Sequence, residues 1–165
     1  MEPFSLIVAC TQTGGIGMNN GIPWHVPQDM KHFYQITTTK SPLKNAVIMG
    51  RKTWDSMQQK PLKNRINVVI SSTLTNETGI VLALSLQDAL DKLKNVGHIF
   101  VIGGASVYQD ALAHPMCTTA HVTWIHDHYE CDAFFPVELF KHRFEKDGLV
   151  IEETPNYTIM KYTRG

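Results

Sequence analysis

The amino-acid order predicts a layered α/β fold: a mixed, mostly parallel sheet with helices on both faces and an antiparallel hairpin at the C-terminal end. Three observations predict it. Short runs rich in Val and Ile recur at 6–10, 46–49, 67–70 and 99–102, the near-continuous apolar pattern of strands buried on both faces of a parallel sheet. Helical patterns follow several of these runs, and strands alternating with helices imply stacked layers. After Pro115 the pattern changes to strand runs at 121–125, 144–152 and 157–162, with no long helix between the last two.

The first run leads into a polar stretch, 11–22, that contains Gly14, Gly15, Gly17 and Gly21. It is longer than a usual strand-to-helix connection, and long loops in compact domains often act as lids. Trp24-His25-Val26-Pro27-Gln28-Asp29 then opens a helix over 28–36, the proline suiting a first turn. Helical spacing puts Phe33 on the face of Asp29, one turn on. An acid in a first turn is an ordinary partner for the helix dipole. Beside Trp24 and Phe33, Asp29 is also a carboxylate held against aromatic surface, where it could pair with a protonatable heterocycle and where burial would raise its pKa.

Ligands of open α/β sheets bind beyond the carboxyl ends of the strands, so the junctions after the other runs matter. After 46–49 come Gly50-Arg51-Lys52-Thr53, before a helix over 53–57. Two cations at a helix start oppose its dipole unless an anion receives them. After 67–70 come Ser71-Ser72-Thr73, three hydroxyls able to donate to a phosphate or to form a plain turn. An amphipathic helix is predicted over 86–93. After 99–102 come Gly103-Gly104-Ala105-Ser106, where missing side chains would let a ligand approach the backbone before a helix over 105–112. This is not the GxGxxG pattern, so an ordinary Rossmann site is unsupported. The last two strands are expected to form a hairpin around Thr154-Pro155-Asn156.

Composition sets the frame. With 165 residues, 43% of them apolar and 18% charged, the chain is expected to form one domain, 1–165, around one core. Lys plus Arg balance Asp plus Glu at 15 each, so neither nucleic acid nor an anionic membrane is an expected partner. The eight histidines show no metal-ligand spacing, and no metal is expected. Cys10, Cys117 and Cys131 are odd in number and irregularly spaced, which suits free thiols in a reducing compartment, the cytoplasm. No basic segment precedes the apolar run at 6–10, so no signal peptide is expected.

These segments together resemble dihydrofolate reductases over essentially the whole chain. The resemblance is carried by Leu6-Ile7-Val8-Ala9, Gly15-Ile16-Gly17, Ile22-Pro23-Trp24 with Pro27 and Asp29, and Val47-Ile48-Met49-Gly50-Arg51-Lys52-Thr53-Trp54. It continues through Pro61-Leu62 with Arg65, the serines after Ile70, Ile102-Gly103-Gly104 with Tyr108, and Asp132 with Phe135-Pro136. It implies the three-layer dihydrofolate-reductase-like fold and the NADPH-dependent reduction of 7,8-dihydrofolate to tetrahydrofolate, in support of one-carbon metabolism and thymidylate synthesis.

By that resemblance Asp29 hydrogen-bonds and polarises the pterin, the hydride comes from the nicotinamide, and the proton arrives through water ordered with help from Trp24 and Thr123. Ile7, Val8, Met30 and Phe33 would wall the substrate pocket together with Met57, Leu62, Ile102 and Tyr108, and Arg65 would pair the α-carboxylate of the glutamyl tail. Ala9, Ile16 and Gly17 would border the nicotinamide. The pyrophosphate would lie against Gly103, Gly104, Ala105, Ser106, Val107 and Tyr108, and the adenosine phosphates against Gly50, Arg51, Lys52, Thr53, Ser71, Ser72 and Thr73. Antifolate-type molecules are implied ligands, and a monomer is expected unless the chain is fused to or associated with thymidylate synthase. Cys131 departs from the pattern, standing where bacterial relatives often have glycine, and Gln58-Gln59-Lys60 matches no assigned segment. A reductase of the same fold that acts on a pyrimidine intermediate of riboflavin synthesis would share the cofactor side but not the Trp24 to Asp29 segment. A catalytically silent pterin or nucleotide binder would bind without turnover.

Overall fold

The computed structural model describes residues 2–38, 42–75 and 79–164. In chain order its elements are β1 (Phe4–Thr11), β2 (Gly15–Gly17), α1 (Pro27–Thr37), β3 (Ala46–Gly50), α2 (Arg51–Ser56), β4 (Ile66–Ile70), β5 (Val81–Ala83) and α3 (Leu86–Lys92). They continue with β6 (Ile99–Val101), α4 (Ala105–Ala113), β7 (Cys117–Ile125), β8 (Ala133–Phe134), α5 (Val137–Arg143), β9 (Leu149–Glu153) and β10 (Tyr157–Thr163).

The main sheet runs β5-β4-β3-β6-β1-β7-β10-β9. All its neighbours pair in parallel except at β10, which is antiparallel to both β7 and β9. Alternation along the central strands divides the interior into two cores. Leu6, Val8, Ala46, Ile48, Val68 and Val101 face one side, where α3, α4 and α5 pack through Ala89, Leu112 and Phe140. Ile7, Val47, Met49, Val69 and Phe100 face the other, covered by Trp54 of α2 and by Phe33 and Ile36 of α1. The expected layers, with helices on both faces, are therefore present.

Some boundaries differ from the sequence expectation. The stretch 144–152 is not one strand: Phe144 is the C-cap of α5, its side chain buried in the core, and β9 begins only at Leu149. The hairpin turn is where it was expected, with the Thr154 hydroxyl accepting the backbone N–H of Asn156 and Tyr157. The glycine-rich loop is tied down. Its β2 pairs with β8, Asp132 N–H donates to Gly17 O at 2.8 Å, and Asn19 N–H donates to Asp132 Oδ2 at 3.0 Å. Gly14 is required there, because its φ of +94° is unfavourable for a side chain and an added Cβ would lie 2.5 Å from Phe135 O.

Asn45 holds α1 against the sheet. It is 1% exposed; its Nδ2 donates to Thr37 O at 3.0 Å and its Oδ1 accepts His98 N–H at 2.8 Å. One side chain thus satisfies the C-terminal turn of α1 and the entry to β6. Removing it strands two buried backbone groups, each worth about 1–3 kcal/mol. Asn45→Ala is expected to lower unfolding free energy by about 2–5 kcal/mol in urea melts; a change inside about 0.5 kcal/mol, ordinary for a surface substitution, would show that the clamp contributes little.

Candidate active site

The site lies beyond the carboxyl ends of β1, β3, β4 and β6. Pro27 starts α1 behind an extended Val26 that offers no side-chain cap, and Asp29 falls in the first turn. Its carboxylate does not cap its own helix. It reaches the sheet instead and accepts the Thr123 hydroxyl at 2.5 Å. Thr123 is buried on β7, registered beside Ala9 of β1 and Ile159 of β10. Burial raises the Asp29 pKa above the ordinary carboxylate range, and the Thr123 hydrogen bond and the field of His32 pull it partly back.

An apolar cluster lies on the same side of the sheet as α1. Ile7 is buried in the same cluster as the partly exposed Phe33, Met57, Leu62 and Ile102, so five residues far apart in sequence come together. Others named with them do not join. Val8 points into the opposite core because successive strand residues alternate, and Met30 is 66% exposed. Tyr108 also belongs to the opposite core, but its hydroxyl donates to Ile7 O at 2.8 Å beneath the glycine pair. Trp24 packs against Tyr129, with ring centroids 5.5 Å apart, beside Ile125 and Tyr157. Ile16 of β2 leans on the α3, α4 and α5 side, and Gly17 pairs with Ala133.

Arg65 stands over the rings of Phe33 and Tyr34, at 5.9 and 5.5 Å from their centroids. Its Nη1 donates to the Thr37 hydroxyl at 2.9 Å and its Nε to Lys63 O. Among the described residues the ion pairs are Arg51 with Asp55 and Lys92 with Asp88, so none of their carboxylates pairs with this half-buried guanidinium. Burial pulls its pKa below the ordinary guanidinium range. A cation held in place without a counterion is arranged to receive a carboxylate from a ligand.

A third group of residues gathers around the glycine pair and the end of β3. Gly103 has φ +126°, and a Cβ there would come within 3.4 Å of Thr53 and Tyr108; Gly50 N–H donates to Gly103 O at 2.8 Å. Gly104 caps α4 without a side-chain hydrogen bond. Because the Tyr108 N–H is the first to return to Gly104 O, the N–H groups of Ala105, Ser106 and Val107 precede the helical ladder, the kind of helix start that can receive an anion. At the end of β3, Arg51 Nη1 donates to Thr73 Oγ1 at 3.1 Å, and Ser71 Oγ lies 3.3 Å from the same oxygen. The clash of Arg51 with its own helix dipole is softened by Asp55, one turn on, at 3.1 Å. Lys52 and Ser72 are exposed nearby. Among the described residues no group of three or more His, Cys, Asp or Glu is placed to hold a metal ion.

The deciding observation is that a family model described as dihydrofolate reductase matches residues 3–164. The chain belongs to the dihydrofolate reductase family, whose members are NADPH-dependent oxidoreductases. Named relatives agree. A dihydrofolate reductase of Schistosoma mansoni is 41% identical over 80% of this chain and 77% of its own length, and one of Drosophila melanogaster is 38% identical over 82% and 80%. A bifunctional dihydrofolate reductase-thymidylate synthase of Daucus carota is 43% identical over 98% of this chain. The chain spans about a third of that bifunctional relative's length.

Two contributors to the site were not evident from the sequence. His32 lies three residues after Asp29 on α1, a spacing that brings its charge to the carboxylate. Thr37, one turn after Phe33, buttresses Arg65. Replacing Arg65 by Ala is expected to weaken binding of a glutamate-bearing dihydropterin by about 10- to 100-fold, the weight of a charge-assisted hydrogen bond, while a dihydropterin without the tail loses nothing. Titrations of both ligands would check this; equal losses would remove Arg65 from carboxylate recognition.

Proposed function

We propose that the chain reduces 7,8-dihydrofolate to 5,6,7,8-tetrahydrofolate with NADPH, and that Asp29 is the residue that orients and polarises the pterin. The observation that carries the proposal is the desolvated Asp29 carboxylate, fixed by Thr123 next to Phe33 and Ile7. A carboxylate accepting hydrogen bonds through both oxygens complements an amino group and an adjacent ring nitrogen. Arg65 receives the carboxylate at the far end of the substrate, so the two ends are fixed by opposite charges. Proximity and orientation are then the main contribution of the protein.

NADPH, when bound, supplies the hydride. The open backbone at Gly103 and Gly104, the N–H groups at the start of α4 and the Arg51, Ser71 and Thr73 cluster fit its phosphates. Arg51 and Lys52 supply countercharge for a 2′-phosphate. Ala9 and Ile16 border the reacting face. Trp24 and Thr123 hold the polar edge where a water delivers the proton, and the elevated Asp29 pKa keeps a proton available in the site.

Antifolate-type molecules bind the same pocket, and the balance of 15 basic against 15 acidic residues supports a chain without nucleic acid or an anionic membrane as partner; among the described residues no helix is long and apolar enough to cross a membrane. The three free cysteines support a reducing, cytoplasmic setting. Residues 1–165 act as one domain, monomeric unless joined to thymidylate synthase, the activity named alongside reductase in the Daucus carota relative.

Asp29→Asn is expected to lower the rate of dihydrofolate-dependent NADPH oxidation roughly 10²- to 10⁴-fold. It is expected also to stabilise the fold. The folded pKa lies above the unfolded one, so the folded state holds this proton more tightly, and the group's contribution to stability falls as pH rises through that interval. The melting temperature of Asp29→Asn should therefore exceed that of the wild type at neutral pH, and the gap should close below about pH 4. A variant that turns over normally, or one less stable at neutral pH, would contradict the role. Replacing Arg51 and Lys52 together by Ala is expected to cut the NADPH to NADH preference in kcat/KM by roughly tenfold or more; an unchanged ratio would assign the selection to other residues.

A further inference from the structure

A cavity of about 530 Å³, lined from α1 by His32 and Ile36, contains none of the residues assigned to the pterin pocket, the glutamyl tail or the cofactor. Its volume is in the range of small-molecule pockets. Strand alternation explains its chemistry. Thr119, His121 and Thr123 share one face of β7, and Thr123 meets Asp29, so His121, two residues before it, lies under α1 with His32 and Ile36. Lys161 of β10 is the registered cross-strand partner of His121, which puts the two side chains next to each other. His32 enters from α1, and His98 lines the opposite side.

The floor is apolar. The Phe100 ring lies with its centroid 6.1 Å from that of His121 and 6.4 Å from that of His98. Ile36 and Ile151 complete the apolar lining, and Ser5 and Thr119 add hydroxyls. Three imidazoles and an ammonium thus surround one space, and no carboxylate lines it among the described residues. His32 Nε2 is shielded from solvent and has no hydrogen-bond partner there. The cluster does not form a three-ligand metal arrangement. Imidazole N–H donors beside the Lys161 ammonium, over an aromatic floor, suit an anion with an apolar body.

We propose that this cavity binds a small organic carboxylate, its charged end among His32, His121 and Lys161 and its apolar body against Phe100, Ile36 and Ile151. Binding takes up a proton. Burial first, then the charge of Lys161 and the neighbouring His32, pushes the His121 pKa down to about 4, so the imidazole is neutral near pH 7. Burial also lowers the His32 pKa, against the opposing fields of Asp29 and Glu152; Glu152 is itself engaged by the Tyr157 hydroxyl at 3.1 Å. An anion arriving among these groups favours their charged forms, so affinity rises as pH falls. His32 feels Asp29 as Asp29 feels His32, and the ligand therefore biases the catalytic carboxylate through one helical turn.

The test is a titration of the full chain with benzoate, read from the histidine Cε1–Hε1 resonances by NMR at about pH 6 and about pH 8. Saturable shifts of His32 and His121 are expected, with binding about tenfold tighter at the lower pH, in keeping with uptake of a proton. Binding is expected to persist with folate and NADP+ filling the reductase site, its affinity changed by the same factor by which benzoate changes that of folate. The double variant His121→Phe with Lys161→Met should lose binding about tenfold or more, and Lys161→Met alone, at an exposed position, should weaken it several-fold with dihydrofolate reduction unchanged. The proposal is overturned if benzoate gives no saturable shift, or if neutral benzamide or inorganic phosphate binds equally well. It is overturned also if folate displaces benzoate or if the variants bind like the wild type.

Discussion

The hydrogen bond from Thr123 to Asp29 joins the first turn of α1 to β7, the strand at which the sheet changes from parallel to antiparallel pairing. A carboxylate drawn out of water is costly in its charged form, and one hydroxyl donor offsets only part of that cost. The rest of the architecture holds the group in this position regardless. Pro27 sets where α1 begins, Asn45 fixes where it ends, and Phe33 and Ile36 bury its inner face against Val47, Met49 and Phe100. With the helix held at both ends and along its length, the backbone of Asp29 keeps its place opposite Thr123.

The same geometry divides recognition by charge. A negative group sits near the sheet, a half-buried guanidinium stands one and a half turns further along α1, and the N–H groups at the start of α4 wait beyond the glycine pair. A ligand must match this order of charges as well as the apolar surface between them. Each feature is held by ordinary structure: Thr37 under Arg65, Tyr108 under Ile7, Gly50 beside Gly103. Alternation along β7 and β10 gathers histidines and a lysine under the same helix, so one element borders two chemically distinct spaces.

The parts legible in the sequence were those where burial on both sides leaves a strong apolar run. β1, β3, β4 and β6 were evident for that reason, as were the glycine pair and the hydroxyls that follow them. Weakly patterned elements were not. β2 and β8 are two or three residues long and owe their pairing to each other. Helix α5 buries only Phe140 within its span, too little periodicity to stand out, and Phe144 was read as the start of a strand when it is the cap of that helix. β5 has three residues and a mixed pattern. Within the site, family resemblance named Val8 and Met30 with the pocket wall, whereas the pleat turns one side chain into the opposite core and the helix turns the other to solvent. His32 and His121 looked scattered along the chain; only the register between β7 and β10 and the position of α1 bring them together.

The central claim is that Asp29 is a desolvated carboxylate held by Thr123. It is tested most directly by the pH titration of the Asp29 carboxyl carbon by NMR, in the wild type and in Thr123→Val. The expected midpoint lies above the ordinary aspartate range in the wild type and rises further when the hydroxyl is removed. A midpoint at or below the ordinary range, or one indifferent to Thr123, would contradict it.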